Sequence, residues 1–226
     1  TYVLILIGGR NMLNFLHGKS HNVTADFSYI NWHELKLKVT SPQYLGALTP
    51  KEVKAKSAVL AATDAPNKTK ESILLHDNFT LLRLDLDDTN LELAIIADML
   101  ESMCIESYII HTTASHLQGD NGNRYRIYIQ LAVALCFDDW AALESYLSYL
   151  FMADDCASRP QQIMYLPVRF KGDKYEYTIV NGVAFIAQNS PLLHDAIAFI
   201  REQSKQEETA SKSAIIKPCF QENLIG

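Results

Sequence analysis

The clearest alternation in the chain begins at Phe79. In FTLLRLDLD, Leu82, Leu84 and Leu86 fall on one side of a strand, and Leu81, Arg83, Asp85 and Asp87 on the other, because successive strand side chains point to opposite faces. The period then changes to that of an amphipathic helix in NLELAIIADMLESM, with Asp88 or Thr89 placed to cap it. SYIIHTTAS predicts a second strand, followed by the polar loop HLQGDNGN. RYRIYIQLAV predicts a third, with Arg124, Arg126, Tyr128 and Gln130 on one face and Tyr125, Ile127, Ile129 and Leu131 on the other. DDWAALESYLSYLF reads as a second amphipathic helix, closed by Asp154 and Asp155. QIMYLPVRF and KYEYTIV read as further strands, and Pro191–Gln203 as a C-terminal helix.

Strand, helix, strand, strand, helix, strand is the split βαβ pattern of ferredoxin-like domains. The expected class is therefore α+β: an RRM-like, ferredoxin-like antiparallel sheet with helices on one face, preceded by an N-terminal α/β lead-in. The apolar strand faces pack on the helices, and Arg83, Asp85, Asp87, Arg124 and Arg126 share the side left open. The lead-in occupies residues 1–56, with 1–11 read as a leader ahead of Met12. Residues 57–204 hold the motif-bearing domain, and 205–226 form a flexible tail. Within the early region, Pro50 opens a helix-like run through Ala62, and residues 63–71 form a polar loop.

Composition narrows the class. A chain of 226 residues, 48% hydrophobic and 20% charged, has the profile of a globular protein, and no apolar run is long enough to span a bilayer. The four cysteines (Cys104, Cys136, Cys156 and Cys219) form no CxxC pair, which argues against a zinc knuckle or a thiol redox centre. They read as free thiols in a reducing cytosol, so the expected location is the cytoplasm of a bacterium or of a phage-infected host. The net charge of −6 does not favour nucleic acid, but the basic residues between Lys51 and Lys174 allow a locally basic cleft.

Asp85 and Asp87 carry the strongest chemistry. Carboxylates at i and i+2 on a strand project side by side, and paired hard oxygen ligands suit Mg²⁺ or Mn²⁺. The competing interpretation is a solvated strand end rich in turn-forming acids. His116, at a strand exit, suits a phosphate contact, or is simply a loop histidine. Arg124 and Arg126 can hold a triphosphate through bidentate guanidinium contacts, or pair with acids across the sheet. Lys68 and Lys70 are placed for template phosphate, as is Arg159, and a solvated loop is the plainer reading. One of Asp154 and Asp155, at the end of the second helix, is a candidate third metal ligand, and a polar loop is the plainer reading.

Taken together these motifs resemble the archaeo-eukaryotic primase superfamily, and within it the primase-polymerase domains of phage and plasmid replication proteins. Three marks carry the resemblance: the strand-borne Asp85-Leu86-Asp87, the small-x-His motif Ala114-Ser115-His116, and a later acid, for which Asp155 is preferred and Asp154 and Asp138 are alternatives. The Arg124-Tyr125-Arg126 strand and the DDCASRPQQIMYLP segment are similar to the pattern of the phage and plasmid branch. The resemblance covers residues 57–170 and implies an RRM-like catalytic core. It implies that Asp85, Asp87 and Asp155 bind divalent metal and act in catalysis. It further implies that His116 contacts nucleotide phosphates, that Arg124 and Arg126 hold the triphosphate, and that Lys68, Lys70 and Arg159 meet DNA. The implied partners are single-stranded DNA template, nucleoside triphosphates and a replicative helicase. No GxxxxGK[ST] sequence is present, so helicase activity would come from elsewhere.

Two other classes compete. Asp85-Leu86-Asp87-Asp88-Thr89 fits the DxDxT signature of haloacid-dehalogenase-like phosphatases, in which the first Asp is the nucleophile. That reading lacks repeated strand–helix alternation. A non-catalytic RRM-like nucleic-acid-binding replication protein is the other, but its open face would carry stacking aromatics where this one offers charges and Tyr128.

Overall fold

A computed structural model describes residues 12–215. Its strands are β1 (Asn14–Gly18), β2 (Ser28–Asn31), β3 (Gln43–Tyr44), β4 (Val59–Leu60), β5 (Phe79–Thr89), β6 (Ser107–Thr112), β7 (Asn123–Leu135), β8 (Met164–Tyr165), β9 (Val168–Arg169) and β10 (Tyr177–Asn181). Its helices are α1 (Trp32–Thr40), α2 (Pro50–Lys56), α3 (Lys70–His76), α4 (Leu93–Ser102), α5 (Phe137–Phe151) and α6 (Pro191–Ile215). The leader assigned to residues 1–11 lies outside the described residues, as do residues 216–226. The C-terminal helix continues past Gln203 to Ile215, through much of the stretch expected to be a flexible tail.

The protein is α+β with a four-stranded antiparallel core sheet in the order β10-β6-β7-β5. Alternation along β5 and β7 does what the sequence pattern requires. Leu82, Leu84, Leu86, Ile127 and Ile129 are fully buried, in one core with Ile96 and Leu100 of α4 and Leu143, Leu147 and Phe151 of α5. Strands β5 and β6 both run antiparallel to β7, which lies between them, so β5-α4-β6 is the expected split βαβ unit. The final strand differs from a ferredoxin-like order: β10 pairs with β6 and leaves β5 at the sheet edge.

That edge is closed by α5 and the turn after it. The indole Nε1 of Trp140 donates to Leu81 O at 2.9 Å, the amide of Arg83 donates to Glu144 Oε1 at 2.8 Å, and the amide of Asp154 donates to Asp85 O at 2.9 Å. Three backbone groups on the free side of β5 are thereby satisfied without another strand, which protects an edge that would otherwise pair promiscuously.

The polar face of the core sheet is not open, contrary to the sequence-based expectation. A second four-stranded sheet, β2-β1-β4-β8, and the parallel pair β3-β9 are built from residues 14–60 and 164–169. Arg126 donates to Tyr165 O, and Tyr175 of the same covering segment donates to Val39 O of α1. Arg83, His111 and Tyr128 are consequently fully buried on a face that alternation alone assigned to solvent.

Two local expectations also change. The helix from Pro50 stops at Lys56, where Ser57 turns extended and its amide bonds Lys54 O, freeing Val59 and Leu60 to pair with β1 and β8. The single strand expected over QIMYLPVRF is two short strands interrupted by Pro167, which carries no backbone N–H for a ladder.

Candidate active site

Where the two sheets meet, a cleft is lined by Asp85 and Asp87 from β5, Arg124 and Arg126 from β7, His111 to Ser115 from β6 and its exit, and Lys54, Ser57, Tyr165 to Val168, Phe170, Asp173 and Tyr175 from the covering elements. The strand register explains the sheet-borne part. Asp85 is opposite Arg126, Arg126 is opposite His111, and His111 is opposite Tyr177, so one row of side chains crosses all four strands on the same face.

Asp85 and Asp87 do project together. Arg126 Nη2 donates to Asp85 Oδ2 at 3.3 Å, while Asp85 Oδ1 is buried without a hydrogen bond, with Arg126 Nε 3.3 Å away. Asp87 is half-exposed and 3.4 Å from Arg124 Nη1. Burial, and then the neighbouring charge of Asp85, hold its carboxyl above the ordinary range. A carboxylate pair that is partly desolvated and retains an unbonded oxygen has the chemistry of a divalent-cation ligand set. Among the described residues, no group of three or more Asp, Glu, His or Cys side chains is arranged to hold a metal.

Both arginines line the cleft, and both are already engaged with acids. Arg124 pairs with Asp88 through Nη2 and through Nε at 3.1 Å, and Asp88 also accepts from the amide of Gly122 at 2.9 Å. The Arg124 hydrogen bond, with that of Gly122, holds the Asp88 carboxyl below its usual range. Arg126 is divided between Asp85 and the Tyr165 carbonyl. Sequence reasoning left open a nucleotide role or pairing with acids across strands for these two residues, and both carry such ion pairs in the folded chain.

His116 follows Ser115 but is not among the lining residues. It is 4% exposed, its ring lies 5.3 Å from that of Tyr125, and its Nδ1 accepts from the amide of Arg124 at 3.0 Å. Burial pushes its pKa down, so the neutral ring carries its proton on Nε2. Lys68, Lys70 and Arg159 stand outside the residues that line the cleft. Lys68 donates to His21 O, Lys70 begins α3, and Arg159 offers its carbonyl to Arg83. Of the third-acid candidates, Asp154 is joined through its amide to Asp85 O, which brings this segment against the carboxylate strand. Asp138 lies in the first turn of α5, at the other end of that helix. The side chain of Asp155 lies outside the described residues.

Sequence reasoning missed His111, Lys54 and Asp173. His111 is fully buried in the floor of the cleft; burial, then the charge of Arg126, push it down to about 3. Its Nδ1 bonds Thr112 O at 2.9 Å and its Nε2 has no partner. Asp173 is paired with Arg169 at 2.5 Å. Only the covering segment brings Lys54 and Asp173 to the cleft, and no local spacing announces that.

Over 79% of its length the chain is similar to the archaeo-eukaryotic primase domain of the primase-polymerase of cyanophage S-2L, at 12% identity, a TM-score of 0.47 and 87% coverage of that domain. The chain is similar to primase-polymerase domains. It is also similar to the primase RepB′, at 13% identity and a TM-score of 0.45, covering 92% of this chain and 65% of that one. The catalytic domain of RepB′ in complex with initiator DNA matches at 12% identity and a TM-score of 0.44, covering 87% of this chain and 92% of that one. The cyanophage domain is of the family that the sequence motifs resemble. With TM-scores below 0.5, these likenesses carry no site residue across. No family model and no curated protein sequence matches the chain.

The geometry also bears on the two competing classes. The sheet holding Asp85 is antiparallel throughout, whereas a haloacid-dehalogenase-like phosphatase requires a doubly wound parallel one. The polar sheet face is covered, so the exposed stacking platform of an RRM-like binder is not formed there. No helix among the described residues is long and apolar enough to cross a membrane.

Proposed function

We propose that this chain is a primase-polymerase domain, a template-directed nucleotidyltransferase acting in the replication of a phage or plasmid. The observation that carries the reading is the pair Asp85 and Asp87, side by side at a cleft, with Asp85 keeping a buried oxygen without a hydrogen bond. Mg²⁺ or Mn²⁺ on this pair would assist ionisation of a primer 3′-hydroxyl and neutralise the departing pyrophosphate. In the reaction the 3′-oxygen forms a bond to the α-phosphorus as the bond to pyrophosphate breaks.

The residues of the chain supply orientation and charge. Arg126 sets its guanidinium against Asp85 and fixes that carboxylate in the cleft. Arg124, clamped by Asp88, presents its remaining guanidinium edge beside Asp87. His116 already accepts at Nδ1, so its Nε2–H can only donate, the polarity a phosphate oxygen requires. Asp155 is the third acid of this reading, on a segment bonded to the carboxylate strand. Lys68, Lys70 and Arg159 serve as template contacts along the outer surface. Single-stranded DNA is the template, nucleoside triphosphates are the substrates, a replicative helicase is the functional partner, and the setting is the bacterial cytoplasm.

Primer synthesis and extension on single-stranded DNA with Mg²⁺ or Mn²⁺ test the proposal, comparing wild type with Asp87→Ala. Incorporation by wild type and its loss in a folded variant are expected. Equal incorporation by the two would remove the mechanism.

A further inference from the structure

We infer that Lys54, on a helix of the lead-in region, receives a β- or γ-phosphate of the incoming nucleoside triphosphate in the cleft that the carboxylate pair also lines. The inference rests on the reading of the cleft as a nucleotide site.

The first observation is the charge balance of the cleft. Arg126 is paired with Asp85, Arg124 with Asp87 and Asp88, and Asp173 with Arg169. Lys54 also lines the cleft, is exposed, and among the described residues carries no ion pair. It is therefore the cleft cation whose charge is not neutralised from within the fold.

The second observation is what holds it there. Lys54 Nζ lies 5.0 Å from the ring centroid of Tyr165, and the guanidinium of Arg126 lies 5.7 Å from the same ring. Two like charges gathered about one ring raise the positive potential at that point of the cleft. The placement follows from the backbone. Val53 is fully buried and anchors α2, the Thr49–Glu52 capping box fixes its start, and Ser57 bonds Lys54 O at its end. Directly after, Val59 pairs with Tyr165, so the helix carrying Lys54 and the ring beneath it are joined by strand pairing.

An ammonium group is a compact point charge and takes non-bridging phosphate oxygens readily. A triphosphate whose α-phosphorus lies at Asp85 and Asp87 extends its β- and γ-phosphates within the same cleft, which Lys54 and the loop residues Thr113 to Ser115 also line. Template phosphates are the other source of this chemistry, and the experiment separates the two.

The test uses the full chain as wild type, Lys54→Ala and Lys54→Arg. Calorimetric binding of a deoxynucleoside triphosphate, the nucleotide KM and kcat in primer extension, and single-stranded DNA affinity at several salt concentrations are measured. Loss of a charge-assisted phosphate contact weakens binding about tenfold or more. The expected result for Lys54→Ala is a KM and a triphosphate Kd raised by that factor, with a smaller fall in kcat and an unchanged salt slope for DNA. Lys54→Arg restores most of the affinity. Unchanged triphosphate affinity in Lys54→Ala overturns the inference, and lowered DNA affinity with unchanged KM assigns the residue to template. If wild type binds triphosphate through Lys54 yet incorporates none, the polymerase reading falls while the contact stands. If wild type incorporates normally and Lys54→Ala matches it, the contact falls while the polymerase reading stands.

Discussion

Arg126 stands across from Asp85 in the register of the β5–β7 pair, and its guanidinium lies 3.3 Å from the carboxylate. This contact links the fold to the chemistry, because the same arginine also donates to Tyr165 O and so ties the carboxylate strand to the segment that roofs the cleft. Arg126→Met would leave Asp85 without its counter-charge and the Tyr165 carbonyl without its donor. Breaking one side of a buried pair costs roughly 3 kcal/mol, reduced here because Asp85 retains contact with water. Urea denaturation should show a lowered midpoint, and nucleotide incorporation should fall about tenfold or more.

Asp87 is a site where stability and function pull apart. Its carboxyl is held up by burial and by Asp85. The folded state therefore favours the protonated form, a contribution fully present below the ordinary value of 3.8 and lost as pH rises through the folded value. Asp87→Asn removes that loss. Thermal melts at neutral pH in a chelator should place the variant above wild type, with the difference vanishing in acid, while incorporation is abolished.

Glu144 gives a second pH signature. Burial pushes its carboxyl up to about 8 from an ordinary 4.5, against the attraction of Arg83. Its contribution to stability is complete below 4.5 and declines as pH rises towards 8. Glu144→Gln keeps an acceptor for the Arg83 amide and cannot ionise. The expected outcome is a flatter stability profile between those pH values than that of wild type, read from denaturation midpoints.

Trp140 closes the edge of β5 by its hydrogen bond to Leu81 O and stacks on Phe79 at 4.3 Å. Trp140→Phe retains an aromatic ring and loses the donor, at a cost of about 1 kcal/mol. Trp140→Ala loses the ring too, at about 3–5 kcal/mol. If the two variants unfold at the same urea concentration, the indole is not holding the strand as described.

The sequence by itself determined the faces. Alternation at period two put Asp85 beside Asp87 and Arg124 beside Arg126, and the same alternation buried Leu82, Leu84, Leu86, Ile127 and Ile129 against two amphipathic helices. These are local consequences of chain geometry, read within a few residues. Tertiary structure alone decided what lies opposite those faces. The Asp85–Arg126 register, the burial of Arg83 and His111, the edge closure by Trp140 and Glu144, and the arrival of Lys54 at the cleft all join residues far apart in the chain. Such pairings are set by how whole sheets and helices fill space together, and a side chain's local pattern carries no record of which distant neighbour that packing will bring.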